Sequence, residues 1–231
     1  MQQRARSRRR PALLPLALVL AALPGCAYQF ASNPDTPPAD LEVAVEARDT
    51  STAAGGMVDV AVTFEHVDRI VRFRAGETVA CNGTPLAFAG QDGYVGRVPR
   101  PREGGTLRCT YTRAGGSHDL EVPVPVRPVL RTPAPGGQAP RTRSLTVEYV
   151  PAGATGVTVG GIGHDPDLEV MVDSHQPDTG TFTGFNTMGF RPGQRGTLRL
   201  VRIAADALPG TGFRAARYRY ESHAAFPVTW Q

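Results

Sequence analysis

Histidine and carboxylate residues recur at close spacing in the second half of this 231-residue chain. His164, Asp165 and Asp167 stand before an apolar run at 168–172, Asp173, His175 and Asp178 stand after it, and Glu221 and His223 follow later. Imidazoles and carboxylates together ligate zinc, and carboxylates alone suit calcium. Read as a strand, the run at 168–172 holds its two flanking clusters roughly 20 Å apart at ~3.3 Å per residue, so they are two ends rather than one site. If strands alternate in direction from Leu145 onward, a turn at 161–167 and a turn at 221–225 meet at one end of a sandwich. That end gathers His164, Asp165, Asp167, Glu221 and His223 as candidate ligands for a metal or a partner. The competing reading makes them solvated loop-tip residues, with Asp165-Pro166-Asp167 forming a turn. Asp173-Ser174-His175 and Glu221-Ser222-His223 hold the residue types of a catalytic triad, but neighbours on a strand point to opposite faces and cannot relay a proton to each other. No nucleophile elbow, zinc-protease helix, phosphate loop or EF-hand loop is present, so catalysis has no motif here.

The elements that must position these residues read as strands. Val43 and Val45, then Val58, Val60 and Val62, alternate with polar or small residues, the period of a half-buried strand. Asn82-Gly83 between 77–81 and 84–88 marks a hairpin, because a type I′ turn needs positive φ at both central positions. That turn reading outweighs the glycosylation sequon Asn82-Gly83-Thr84. Further strands are expected at 106–112, 120–126, 145–150, 156–160, 168–172, 181–187, 197–203, 213–220 and 226–230, with a first edge strand at 129–130. Residues 204–208 are the one stretch that reads as a helical turn. With 26 Gly and 21 Pro the chain is rich in turn formers, which argues for many short strands over long helices.

The N-terminus reads as an address. Arg4, Arg6, Arg8, Arg9 and Arg10 precede an apolar stretch of 11–24, too short for the ~20 residues of a spanning helix, as in a signal peptide. Leu23-Pro24-Gly25-Cys26 resembles the lipobox of bacterial lipoproteins, with Pro24 departing from the usual small residue. The resemblance implies cleavage after residue 25 and a diacylglycerol and N-acyl lipid, palmitate included, on Cys26. Ser7-Arg8-Arg9 also looks like part of a twin-arginine signal. Residues 26–40, with Pro34, Pro37 and Pro38, read as a tether from the membrane. All 25 basic residues are Arg; cutting away 1–25 removes five of them and no acid, leaving 20 Arg against 21 acids, a net charge of −1. A nucleic-acid partner loses its basic footprint with the signal. Once the lipid takes Cys26, Cys81 and Cys109 remain as an even pair in an oxidising compartment, and a disulfide is expected.

These features resemble bacterial surface lipoproteins built from immunoglobulin-like modules. The resemblance implies an all-β chain with two tandem immunoglobulin-like sandwiches, at 41–126 and 143–231, joined by a linker or edge strand at 127–142. Two marks of antibody domains are missing: the Cys pair is too close in sequence for a bridge between sheets, and Leu107 stands where a corner Tyr would be. The expected function is a lipid-anchored, extracytoplasmic, non-enzymatic binding or adhesion module for a protein or glycan. The rivals are a metal-dependent hydrolase or metal carrier using the His and acid loops, and a structural envelope spacer. Tyr218 and Tyr220 are expected in the core, with Arg217, Arg219 and Glu221 on the other face. The sole Trp, Trp230, is expected to anchor the last strand.

Overall fold

The computed structural model describes residues 36–51, 56–113, 115–164 and 170–231. Cys26, Asp165 and Asp167 lie outside the described residues. The fold is nearly all β. In chain order the first half carries β1 (Glu42–Asp49), β2 (Met57–His66), β3 (Arg69–Ile70), β4 (Thr78–Cys81), β5 (Thr84–Pro85), β6 (Ala87–Phe88), β7 (Tyr94–Pro99), β8 (Thr106–Arg113) and β9 (Gly116–Pro123). The second half carries β10 (Val129–Thr132), β11 (Gln138–Ala139), β12 (Leu145–Val150), β13 (Gly156–Gly163), β14 (Val170–Gln176), β15 (Thr181–Phe185), β16 (Arg195–Ala207) and β17 (Ala215–Trp230). Asn82 and Gly83 take φ of 46° and 76°, the left-handed pair that the hairpin between β4 and β5 requires.

One sheet runs through both halves in the order β14-β13-β16-β17-β1-β2-β7-β6. On its inner side, β5-β4-β8-β9 closes the first core and β10-β12-β15 closes the second. The long hairpin of β16 and β17 joins them. β17 alternates without a break: Ala216, Tyr220, Ser222, Ala224, Val228 and Trp230 are buried, while Arg217, Arg219, Ala225 and Pro227 are exposed. Its first half pairs in parallel with β1, Glu42 against Ala215 through Asp49 against Ser222. Leu208, Ala216 and Tyr220 therefore belong to the first core, with Phe213 and Tyr218 packed against it, and Trp230 to the second. The first core thus draws residues from both expected ranges, 41–126 and 143–231. Two local expectations also change. The turn expected at 221–225 is the middle of β17, because small Ser222 and Ala224 keep the alternation going where no large apolar residue marks it. Residues 204–207 are the end of β16 rather than a helical turn.

The Cys81–Cys109 disulfide is present, and the two residues face each other directly in the β4–β8 ladder with no exposed surface. It ties the Asn82-Gly83 hairpin to the next strand of the same sheet, which is why a sequence separation of only 28 suffices. Closing a loop of that length is worth about 3 kcal/mol in the chain-entropy model. Free-thiol titration of the unfolded, unreduced protein is expected to find neither Cys81 nor Cys109 reactive. Reduction is expected to lower the urea midpoint by that amount divided by the m-value.

Between the two cores lies a buried ionic layer. Asp49, at the end of β1, is 1% exposed and binds Arg100 Nε at 2.8 Å and Arg127 Nη2 at 3.0 Å. On the same inner face, across Ser222 of β17, Arg202 of β16 is 4% exposed. Its Nε donates to Asp178 Oδ2 at 2.8 Å, and its Nη1 donates to the Val126 carbonyl at 2.6 Å. The segment crossing between halves is thereby fastened to the spine strand.

Candidate functional site

The register separates the expected metal cluster. The His164 amide donates to the Arg195 carbonyl at 2.9 Å, and Arg195 lies opposite Thr229, whereas His223 lies opposite Val201. Six positions along β16 at ~3.3 Å each place His164 about 20 Å from His223, an order of magnitude beyond a metal–nitrogen bond. The expected shared end is overturned: it rested on a turn at 221–225 that the chain does not make. His164 is exposed, with Nε2 2.9 Å from Thr197 Oγ1. Among the described residues no group of three or more His, Cys, Asp or Glu is placed to hold a metal ion. His175 is also exposed, its Nδ1 3.3 Å from Thr158 Oγ1, on β14 at the far edge of the sheet.

Glu221 and His223 do form a site, together with Arg219 of the same strand and Arg48 of β1. Both side chains stand on the outer face of β17, and His223 Nε2 is 3.2 Å from Glu221 Oε2. Arg48 of β1, opposite Glu221 in the ladder, donates from Nε to the same oxygen at 3.2 Å. Arg219 reaches Oε1 from Nε at 3.0 Å and from Nη2 at 2.9 Å. The His223 hydrogen bond is the largest influence on the Glu221 carboxyl, opposed by burial and reinforced by Arg219 and then Arg48. Together they lower its pKa to about 2, so Glu221 is an anion throughout the physiological range.

This cluster walls a groove of about 680 Å³ on the outer face of β17, β1, β2 and β7. The floor is made of small or half-buried residues: Ala44, Ala61, Thr63, Val95 and Gly96. Arg48, Arg219 and Glu221 form one wall; Asp59 and Arg97, paired at 3.1 Å, stand across the floor, and Gln91 and Asp92 rise from the 3-10 turn at Gly90–Asp92. Gly93 permits that turn's close approach: its φ is +70°, and a Cβ there would meet the Val62 carbonyl oxygen. The groove size falls in the range of small-ligand and peptide sites. Among the described residues its lining carries no aromatic ring; Arg48 and Arg219 pair with Glu221 and Arg97 with Asp59, while Glu46 and Asp92 add two further carboxylates. Sequence reading named Arg219, Glu221 and His223 individually but missed the groove, since alanines on two neighbouring strands give no signal until their register is known.

Among the described residues no helix is long and apolar enough to cross a membrane. No protein-family model and no curated protein matches the chain.

Proposed function

We propose that the protein is a non-enzymatic binding module of the bacterial cell envelope, held to its membrane by lipid on Cys26 and displaying immunoglobulin-like sandwiches outside the cytoplasm. The observation that carries this is the outer face of the long sheet, which among the described residues is hollowed into the groove over Ala44 and Ala61. Its small floor leaves room for a partner's side chains, and its paired Arg and carboxylate walls offer hydrogen bonds. The lack of an aromatic ring in the lining favours a protein surface over a stacked sugar. A spacer role is the second reading, favoured by the β16–β17 spine and the buried ionic layer that fix the two cores to each other.

A photo-crosslinking side chain at Ala61 is expected to trap a protein when the chain is expressed with Cys26 intact. Cys26→Ser is expected to move the mature chain from the membrane to the soluble fraction. Unchanged fractionation overturns the anchor, and an Ala61 probe that yields no adduct overturns the groove and leaves the spacer.

A further inference from the structure

The charges of the groove are not equally engaged. Each arginine of its lining is held by a carboxylate, Arg48 and Arg219 by Glu221 and Arg97 by Asp59. Arg219 stands opposite Glu46 in the β1–β17 ladder, yet it gives both Nε and Nη2 to Glu221 Oε1. Glu46 and Asp92 are exposed, and neither side chain meets a cation or a donor among the described residues. At the end of this face nearer Leu41, Arg214 pairs with Glu42, while Glu65 and Arg217 stand outside the groove lining, one of each sign. Arg72 lies over the Phe88 ring of edge strand β6, 5.4 Å from its centroid. Residues 26–35, 52–55, 114 and 165–169, which lie outside the described residues, hold acids but no base. Once the leader is cut away, none of them can neutralise the two groove carboxylates.

The two carboxylates flank an apolar trough. Glu46, Ala61 and Val95 stand side by side on β1, β2 and β7, and Ala44 and Thr63 form the next row. Glu46 and Val95 are two strand spacings apart, about 10 Å, and Asp92 rises from the turn just before β7. Between them the floor offers methyl groups and one hydroxyl. Arginine and lysine lay their methylene stems along apolar surface and hold the charged head at its polar edge. A stem resting on Ala61 would bring such a head to Glu46 or Asp92, where a charge-assisted hydrogen bond forms without displacing any existing pair. An anionic side chain would first have to take an arginine from Glu221 or Asp59.

We propose that the groove binds a basic segment of an extended protein chain, with an arginine or lysine lying over Ala61 between Glu46 and Asp92. The proposal rests on the groove reading above and names the chemistry of its partner. The chain from residue 26 onward, carrying Cys26→Ser, retains every described residue, and fluorescence anisotropy with a short labelled peptide of alternating Arg and Ala reads the binding. Saturable binding is expected, absent with a Glu–Ala peptide and weakened as salt screens the charges. Glu46→Gln with Asp92→Asn is expected to weaken it about tenfold or more, equivalent to ~1.4 kcal/mol, with the melting temperature unchanged. Ala61→Phe, which fills the trough and keeps both carboxylates, is expected to weaken it severalfold. Glu65→Gln removes a carboxylate of the same face outside the lining and is expected to change it less than about twofold. No saturable binding, equal binding by the double variant, or an equal loss from Glu65→Gln would each overturn the proposal, as would spermidine displacing the peptide as well as unlabelled peptide does. An adduct at the Ala61 probe whose yield ignores Glu46→Gln with Asp92→Asn overturns the basic partner and leaves the groove reading standing, whereas no adduct at all overturns that reading.

Discussion

Asp178→Ala is expected to destabilise the protein by about 3 to 5 kcal/mol, because it leaves the buried Arg202 guanidinium without its counter-charge. The Arg202 side chain is 5% exposed and that of Asp178 is 0% exposed, so water cannot replace the lost carboxylate. The same Asp178 oxygen also accepts the Ala154 amide at 2.9 Å, which would lose its partner too. For a chain of this size the melting temperature should fall by roughly 10 °C. Asp178→Leu with Arg202→Met is expected to recover most of the loss, since removing both charges removes the desolvation penalty along with the attraction. Thermal unfolding of the three proteins checks this. A single variant within 1 kcal/mol of the parent, or a double variant no better than the single, would show that the pair is solvated after all.

The ionic layer places charge where a continuous apolar core would have been simpler. Its geometry suggests what the charge does. Arg202 Nη1 holds the Val126 carbonyl, and Arg127 Nη2 holds Asp49, so the segment crossing between the halves is fastened to β16 and to β1 at successive residues. A purely apolar waist would slide at little cost, whereas these bonds are satisfied in one register. The spine then carries the groove and the second core in a fixed relation.

Much of the fold was legible because one signal, alternation, is strong wherever Val, Leu and Tyr supply the buried positions. β12, Leu145–Val150, has the bounds that alternation predicts, and Asn82-Gly83 names its own turn. β7 escaped notice because Gly96 and Pro99 interrupt its pattern and only Tyr94 and Val98 are buried. The fusion of 213–220 with 226–230 into β17 escaped because its central buried residues are Ser222 and Ala224. The pairing of β1 with β17 joins residues more than 170 positions apart, Glu42 with Ala215, and no local pattern encodes a partner. The metal-site expectation inherited that error: β14 and β17 do run opposite ways, but β17 ends at Trp230 rather than at Tyr220, so the strand end near His164 is not the one that carries Glu221. The groove was hidden for the related reason that it belongs to a register rather than to a motif.

Gly196→Ala is the substitution expected to test the second core most severely. Gly196 sits between β13 and β17, opposite Gly163 on one side and Val228 on the other. A Cβ there would overlap the Trp230 indole nitrogen and the Ile162 carbonyl oxygen, one a packed aromatic ring and the other backbone. Neither can yield alone: Trp230 is fully buried and stacked within 9° of parallel on Phe190, and Ile162 belongs to a ladder fixed on both edges. The methyl group must therefore expel the indole or part β13 from β16. Expulsion forfeits what truncating a buried Trp forfeits, about 3 to 5 kcal/mol. Because Trp230 is the sole Trp, its fluorescence reports this core alone. Gly196→Ala is expected to shift that emission to the red and to lower the denaturant midpoint together. Gly193→Ala is the comparison that separates crowding from backbone strain: its φ is +74° with open space around the new Cβ, so it costs about 1 kcal/mol through strain and leaves the indole in place. Equal emission spectra for the two variants would mean that the indole does not depend on the space Gly196 leaves.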